Sequence, residues 1–95
     1  MKEDLLKIIN NYGISNQIKK FNEECFELEE AIIDHEWLVS ERGRGYKKHI
    51  IEELSDVMVL FKQIQYWYEI EDEEIEEMMK FKIDRTLKRM EANNE

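Results

Sequence analysis

Two acidic blocks carry the residue types and spacing for chemistry: Glu23-Glu24-Cys25-Phe26-Glu27 and Glu52-Glu53-Leu54-Ser55-Asp56. Each reads Glu-Glu-x-x-acid, and each lies in a segment with a helical apolar repeat. On a helix, acids at i and i+3 share one side at roughly 4.5 Å of axial rise. Like charges so placed cost about 0.2–0.5 kcal/mol per pair. Two such blocks beside apolar seams predict a cation between them. Carboxylate oxygens suit a hard divalent ion, Mg²⁺ first, with Mn²⁺ as a substitute.

Helices must position these acids. A short helix is predicted over residues 3–11, with Leu5, Leu6, Ile8 and Ile9 on its apolar side. Asn10-Asn11-Tyr12-Gly13 ends it, with Gly13 as a left-handed cap. Ser15 or Asn16 caps a second helix to about His35, with the seam Ile18, Phe21, Cys25, Leu28, Ile32. Residues 36–45, with Gly43 and Gly45, form the connection. A third helix runs from about Tyr46 to Tyr68 with the seam Ile50, Leu54, Val57, Phe61, Ile64, Tyr68. Ile51, Met58, Val59, Leu60 and Trp67 lie outside that seam, so this helix is expected to be buried on several sides, including by another subunit. Glu71 or Asp72 caps the last helix, which extends to about Ala92. Its early turns are acidic and its late turns basic, matching the helix dipole. Its seam is Ile75, Met79, Ile83, Leu87, Met90.

Helical geometry then aims the acids. At about 100° per residue, Glu24 and Glu27 lie about 80° and 140° from the seam centre of the second helix. Glu53 and Asp56 lie about 60° and 120° to the same-signed side of the third. If the two helices pack antiparallel through their seams, all four carboxylates share one face, and Glu27 and Glu53 are nearly equidistant from the connecting loop. Glu24, Glu27, Glu53 and Asp56 are therefore the predicted metal ligands. Glu23 and Glu52 point further away. The bland alternative, solvated glutamates in an acidic protein, accounts for one block better than for two matched ones. A carboxylate-bridged di-iron centre normally needs Glu-x-x-His, and neither His35 nor His49 has a Glu three residues earlier.

Other polar residues carry two readings each. Lys20, one turn before Glu24, contacts phosphate or pairs with Glu24. Arg42 and Arg44, followed by Lys47 and Lys48 at a helix start, form a phosphate clamp or a solvated loop. Lys82, Arg85 and Arg89 bind phosphate or only complement the dipole. His49 is an exposed residue near a helix start or a neighbour of the ligand.

Composition bounds the rest. The chain has 95 residues, no proline, three glycines and 39% charged residues, which fits one all-α domain over 1–95. The 23 acidic and 14 basic side chains give a charge of −9. This argues against a nucleic-acid polymer as partner. The single Cys25 fits a reducing compartment. No apolar run approaches the ~20 residues of a membrane span, and Met1-Lys2-Glu3-Asp4 lacks the order of a signal peptide. A cytoplasmic protein is expected.

The segment Lys20-Phe21-Asn22-Glu23-Glu24-Cys25-Phe26-Glu27-Leu28, followed after an interval by Glu52-Glu53-Leu54-Ser55-Asp56-Val57, resembles the MazG-like all-α nucleoside triphosphate pyrophosphohydrolases. Their signature is Glu-Glu-x-x-Glu followed by Glu-x-x-Asp. Lys20 ahead of Glu24 and the run Lys82, Arg85, Arg89 are also similar, and the likeness spans about residues 16–90. It implies that Glu24, Glu27, Glu53 and Asp56 bind Mg²⁺ and that the basic residues hold substrate. It also implies cleavage between the α- and β-phosphates to give a nucleoside monophosphate and pyrophosphate. Water deprotonated by a nearby carboxylate would attack phosphorus, with Glu23 a candidate base. The implied architecture is two long antiparallel helices with shorter N- and C-terminal helices. A homodimer or homotetramer completes the four-helix assembly. The second copy of the module that tandem members carry is missing. The alternative function is a non-catalytic acidic helical interaction module.

Overall fold

A computed structural model describes the backbone of residues 1–37 and 46–93, with the side chains of Trp37 and Tyr46 left aside. All four described elements are helices: α1 (Lys2–Tyr12), α2 (Ile14–Trp37), α3 (Tyr46–Trp67) and α4 (Asp72–Asn93). The architecture is all-α, as the apolar periodicity and the absence of proline dictate. One expectation is corrected: α4 has 22 residues, the same as α3, so it is not a shorter C-terminal helix.

The α1–α2 junction is a single residue. Gly13 adopts φ 92° and ψ 147°. This positive-φ region lies outside the left-handed helical well and is open essentially to glycine alone. Its N–H donates to the Ile9 carbonyl at 2.8 Å, and its own carbonyl accepts from the Gln17 N–H at 3.1 Å. Ser15 and Asn16 lie inside α2 rather than capping it, and Asn16 Nδ2 donates back to the Tyr12 carbonyl at 2.7 Å. The sharp turn folds α1 onto α3, where Leu5 and the fully enclosed Ile9 supply the buried side chains of α1. Burying an Ile or Leu is worth about 1.5–3 kcal/mol each. The principal packing is α2 against α3. Buried Ala31 on α2 and buried Leu60 on α3 complete most of a small core.

The α3–α4 corner is built from polar groups. Glu69 has φ 58°, and the Ile70 N–H donates to the Gln65 carbonyl at 3.2 Å. The Glu71 N–H donates to Glu74 Oε2 at 2.8 Å, the return half of a capping box. Asp72 Oδ1 accepts from Lys62 Nζ, Gln65 Nε2 and the Tyr66 hydroxyl, each at 2.9 Å. These donors, led by Lys62, hold the Asp72 carboxyl down at about 2 and push the Lys62 ammonium upward. A depressed carboxylate stabilises the fold above its unfolded value of 3.8, and that contribution is lost as pH falls through about 2. Asp72→Asn is therefore expected to melt below the parent at neutral pH. The difference should close as both are titrated toward pH 2, which a melting series reads directly. A gap that stays constant over that range would assign it to packing instead.

Beyond this corner α4 stands alone. Among the described residues, no Cα of α4 comes within 8 Å of a Cα of another helix, and no α4 residue is buried. The chain exposes 8096 Å², whereas a compact monomer of 11.7 kDa exposes about 5,900 Å². Its radius of gyration is 17.1 Å against about 12 Å for a compact chain of this length. Ile83, Leu87 and Met90 are among the apolar side chains left in solvent. Among the described residues, no helix is long and apolar enough to cross a membrane.

Candidate metal centre

The acidic residues sit deeper between α2 and α3 than their sequence offsets predict. The face of α2 turned inward runs Gln17, Phe21, Glu24, Leu28, Ala31, and that of α3 runs Glu53, Val57, Leu60, Gln63 or Ile64. Ile18, Ile32, Leu54 and Tyr68, placed on the seams by periodicity, are exposed. Both helices are rotated by about 50° from the predicted seam centres. The reason is that each carries more apolar surface than one contact uses. Phe26 and Ile33 on α2 and Ile51 and Met58 on α3 remain exposed. The centre of the apolar arc is therefore not the centre of the contact. The rotation brings Glu24 and Glu53 into the contact itself.

Carboxylate oxygens of Glu24, Glu27 and Glu53 lie within 4.8 Å of one another, with Glu24 and Glu53 half-buried and Glu27 exposed. Glu24 Oε2 and Glu53 Oε2 are shut away from solvent without a hydrogen bond. Such orphaned acceptors are rare, because leaving one unmade costs about 1–3 kcal/mol. Burial pushes the Glu24 carboxyl up. The adjacent Glu27, which would share a proton with it, and the charges of Glu27 and Asp56 push the same way, while Lys20 opposes them. A raised carboxyl stabilises the fold below its unfolded value of 4.5, and this contribution is lost as pH rises through the raised folded value. At neutral pH the cluster is thus an electrostatic liability that a cation would relieve. Three carboxylates, two of them with a desolvated, unbonded oxygen, fit Mg²⁺ or Mn²⁺ by donor type.

The remaining candidates divide. Asp56 is exposed and stands outside the trio, but its charge acts on Glu24 and it lines the same groove. Glu23 is on the groove wall, exposed. Lys20 also lines the groove; of its two readings, the ion pair with Glu24 is not closed among the described residues, although its charge acts on Glu24. His49 is exposed. Lys82, Arg85 and Arg89 ride on α4, and none of them borders this groove. Lys82 instead lines a separate, mostly apolar cleft with Met58 and Phe61 of α3, and Arg85 lies over the Phe81 ring at 5.7 Å. Arg42 and Arg44 fall outside the described residues.

The groove, of about 570 Å³, extends from the acids toward the α1–α2 turn. Ile8, Tyr12, Val59 and Leu60 form its apolar wall, and Gln17 and Gln63 its floor. Sequence reasoning passed over both glutamines. Their signal was available, since each lies seven residues, two helical turns, from an acid that lines the groove: Gln17 from Glu24 and Gln63 from Asp56. No protein-family model, no characterised protein and no solved structure matches this chain.

Proposed function

We propose that this chain is an Mg²⁺-dependent nucleoside triphosphate pyrophosphohydrolase with a MazG-like helical bundle, cleaving the α–β phosphoanhydride to release a nucleoside monophosphate and pyrophosphate. The observation that carries the reading is the pair of buried, unbonded carboxylate oxygens of Glu24 and Glu53 beside Glu27. Glu24, Glu27 and Glu53 would hold the ion, with Asp56 completing the acidic edge. When bound, Mg²⁺ would neutralise triphosphate charge and polarise the phosphoryl oxygen. Lys20, on the groove wall, would meet a phosphate oxygen. Glu23, exposed on the same wall, would take the proton from the attacking water.

The reading includes a homodimer or homotetramer. The excess of exposed surface, about 2,200 Å² over a compact monomer, is of the size that obligate interfaces bury. Exposed apolar side chains on α4 and the outer faces of α2 and α3 contribute to it. Charge supports the same assembly: residues 80–90 carry five basic side chains against the single acid Asp84, while the α2–α3 face is acidic. In this arrangement Lys82, Arg85 and Arg89 reach phosphate only from a neighbouring copy.

Incubation with Mg²⁺ and a panel of canonical and modified nucleoside triphosphates should release pyrophosphate and monophosphate in equal amounts, with none when Mg²⁺ is chelated. Release of orthophosphate alone would remove the α–β cleavage, and release of nothing from any nucleotide would remove the hydrolase reading and leave the acidic interaction module.

A further inference from the structure

We infer that the groove beside the acidic cluster is a nucleobase pocket read by the Gln17–Gln63 amide pair, and that this pair accepts a donor–acceptor base edge in either order. The inference rests on the hydrolase reading for its substrate class. The pocket itself stands on separate observations.

Gln17 and Gln63 are 5% and 2% exposed, unusual for glutamine. Gln17 Nε2 donates to Gln63 Oε1 at 2.8 Å, and neither side chain makes another hydrogen bond among the described residues. One contact thus uses one donor and one acceptor. Gln17 Oε1 and the Gln63 amide N–H groups remain without partners at the floor of the groove. A helix contact needing only packing would place apolar residues here. A buried amide pair with spare capacity suits a ligand that offers both a donor and an acceptor.

The surroundings match a nucleotide in order. Ile8 and Tyr12 are exposed on the apolar wall beside Val59 and Leu60, where they can cover a heterocycle face. Lys20 comes next, then Glu24 and Asp56. From the glutamines to these acids is seven residues on each helix, about 10 Å. That span suits the reach from a base edge to its 5′-phosphates.

The freedom of the pair sets its selectivity. Because no other group among the described residues fixes either amide, both can turn over together. The mutual bond is then kept with donor and acceptor exchanged. The floor offers one donor and one acceptor in either state. A uracil edge (carbonyl beside N–H) and a cytosine edge (amino beside ring nitrogen) are therefore both satisfied. A base with the ring N–H methylated is not, and a site built for polar contacts discriminates against it strongly.

Two measurements test this. In the labelled parent protein, uridine and cytidine should both shift the side-chain amide resonances of Gln17 and Gln63, with dissociation constants within about tenfold of each other. N3-methyluridine should bind at least about tenfold more weakly. No shift of these resonances, equal binding of N3-methyluridine, or a preference beyond about 100-fold between uridine and cytidine would overturn the inference. In turnover, Gln63→Met should lower kcat/KM for UTP and CTP by about 10- to 100-fold. Inhibition by inorganic tripolyphosphate, which has no base, should be unchanged. Equal loss of tripolyphosphate inhibition would make Gln63 a structural residue and overturn the assignment. Amide shifts by nucleosides without hydrolysis of any nucleotide would keep the pocket and remove the hydrolase. Hydrolysis with unaltered kinetics in Gln63→Met would do the reverse.

Discussion

Glu53→Gln is expected to reduce pyrophosphate release by at least about 100-fold, because a hard-ion ligand worth several kcal/mol of charge stabilisation is lost. The substitution keeps size and helix propensity. It removes one of the two buried unbonded oxygens and one charge from the 4.8 Å cluster. It also relieves like-charge repulsion among the three carboxylates, about 0.2–0.5 kcal/mol per pair. The metal-free variant should therefore melt at or above the parent. Activity and stability move in opposite directions, which separates a ligand from a structural residue. Glu29→Gln, on an exposed residue outside the trio, is the control and should match the parent in both. A Glu53→Gln protein that unfolds, or that hydrolyses nucleotides at the parental rate, would contradict the assignment.

Leu87→Asp is expected to break the assembly. Leu87 lies half-exposed on the apolar side of α4 with Ile83 and Met90, and among the described residues no other helix packs on α4. In an oligomer it would be buried, and an unpaired carboxylate there costs several kcal/mol. The dissociation constant should rise by at least about 100-fold, since each 1.4 kcal/mol is a factor of ten. Light scattering at micromolar concentration should show an oligomer for the parent and a monomer for Leu87→Asp. Glu77→Gln, about 110° around α4 from the centre of the Ile83–Leu87–Met90 stripe, should assemble like the parent. A monomeric parent would remove the assembly from the account.

The sequence made the helices legible to within a residue or two at most ends, because apolar periodicity and the Gly13 stop act locally. It also brought Glu24, Glu27 and Glu53 together, since an antiparallel hairpin fixes levels from residue numbers alone. It misjudged depth. Periodicity puts Glu24 and Glu53 about 80° and 60° from the seam centres and gives Gln17 and Gln63 no role, yet all four turn toward the helix contact. Local pattern cannot show that a polar residue occupies a seam, because the compensating partner is distant in the chain. For α4 the apolar stripe was readable, but what covers it was not. Amphipathicity specifies that a helix needs a partner without saying whether that partner is in the same chain.

The most direct test of the central claim is the Mg²⁺ dependence of melting in the parent, Glu53→Gln and Glu29→Gln. At tenfold excess over its dissociation constant, Mg²⁺ should stabilise the parent by about 1.4 kcal/mol, roughly 6–11 °C for a domain of this size. The shift should grow as pH rises through the elevated Glu24 value, because the ion takes the deprotonated carboxylate. Glu29→Gln should show the full shift, and Glu53→Gln little or none. Equal shifts in all three proteins would mean that Glu24, Glu27 and Glu53 do not form a metal site.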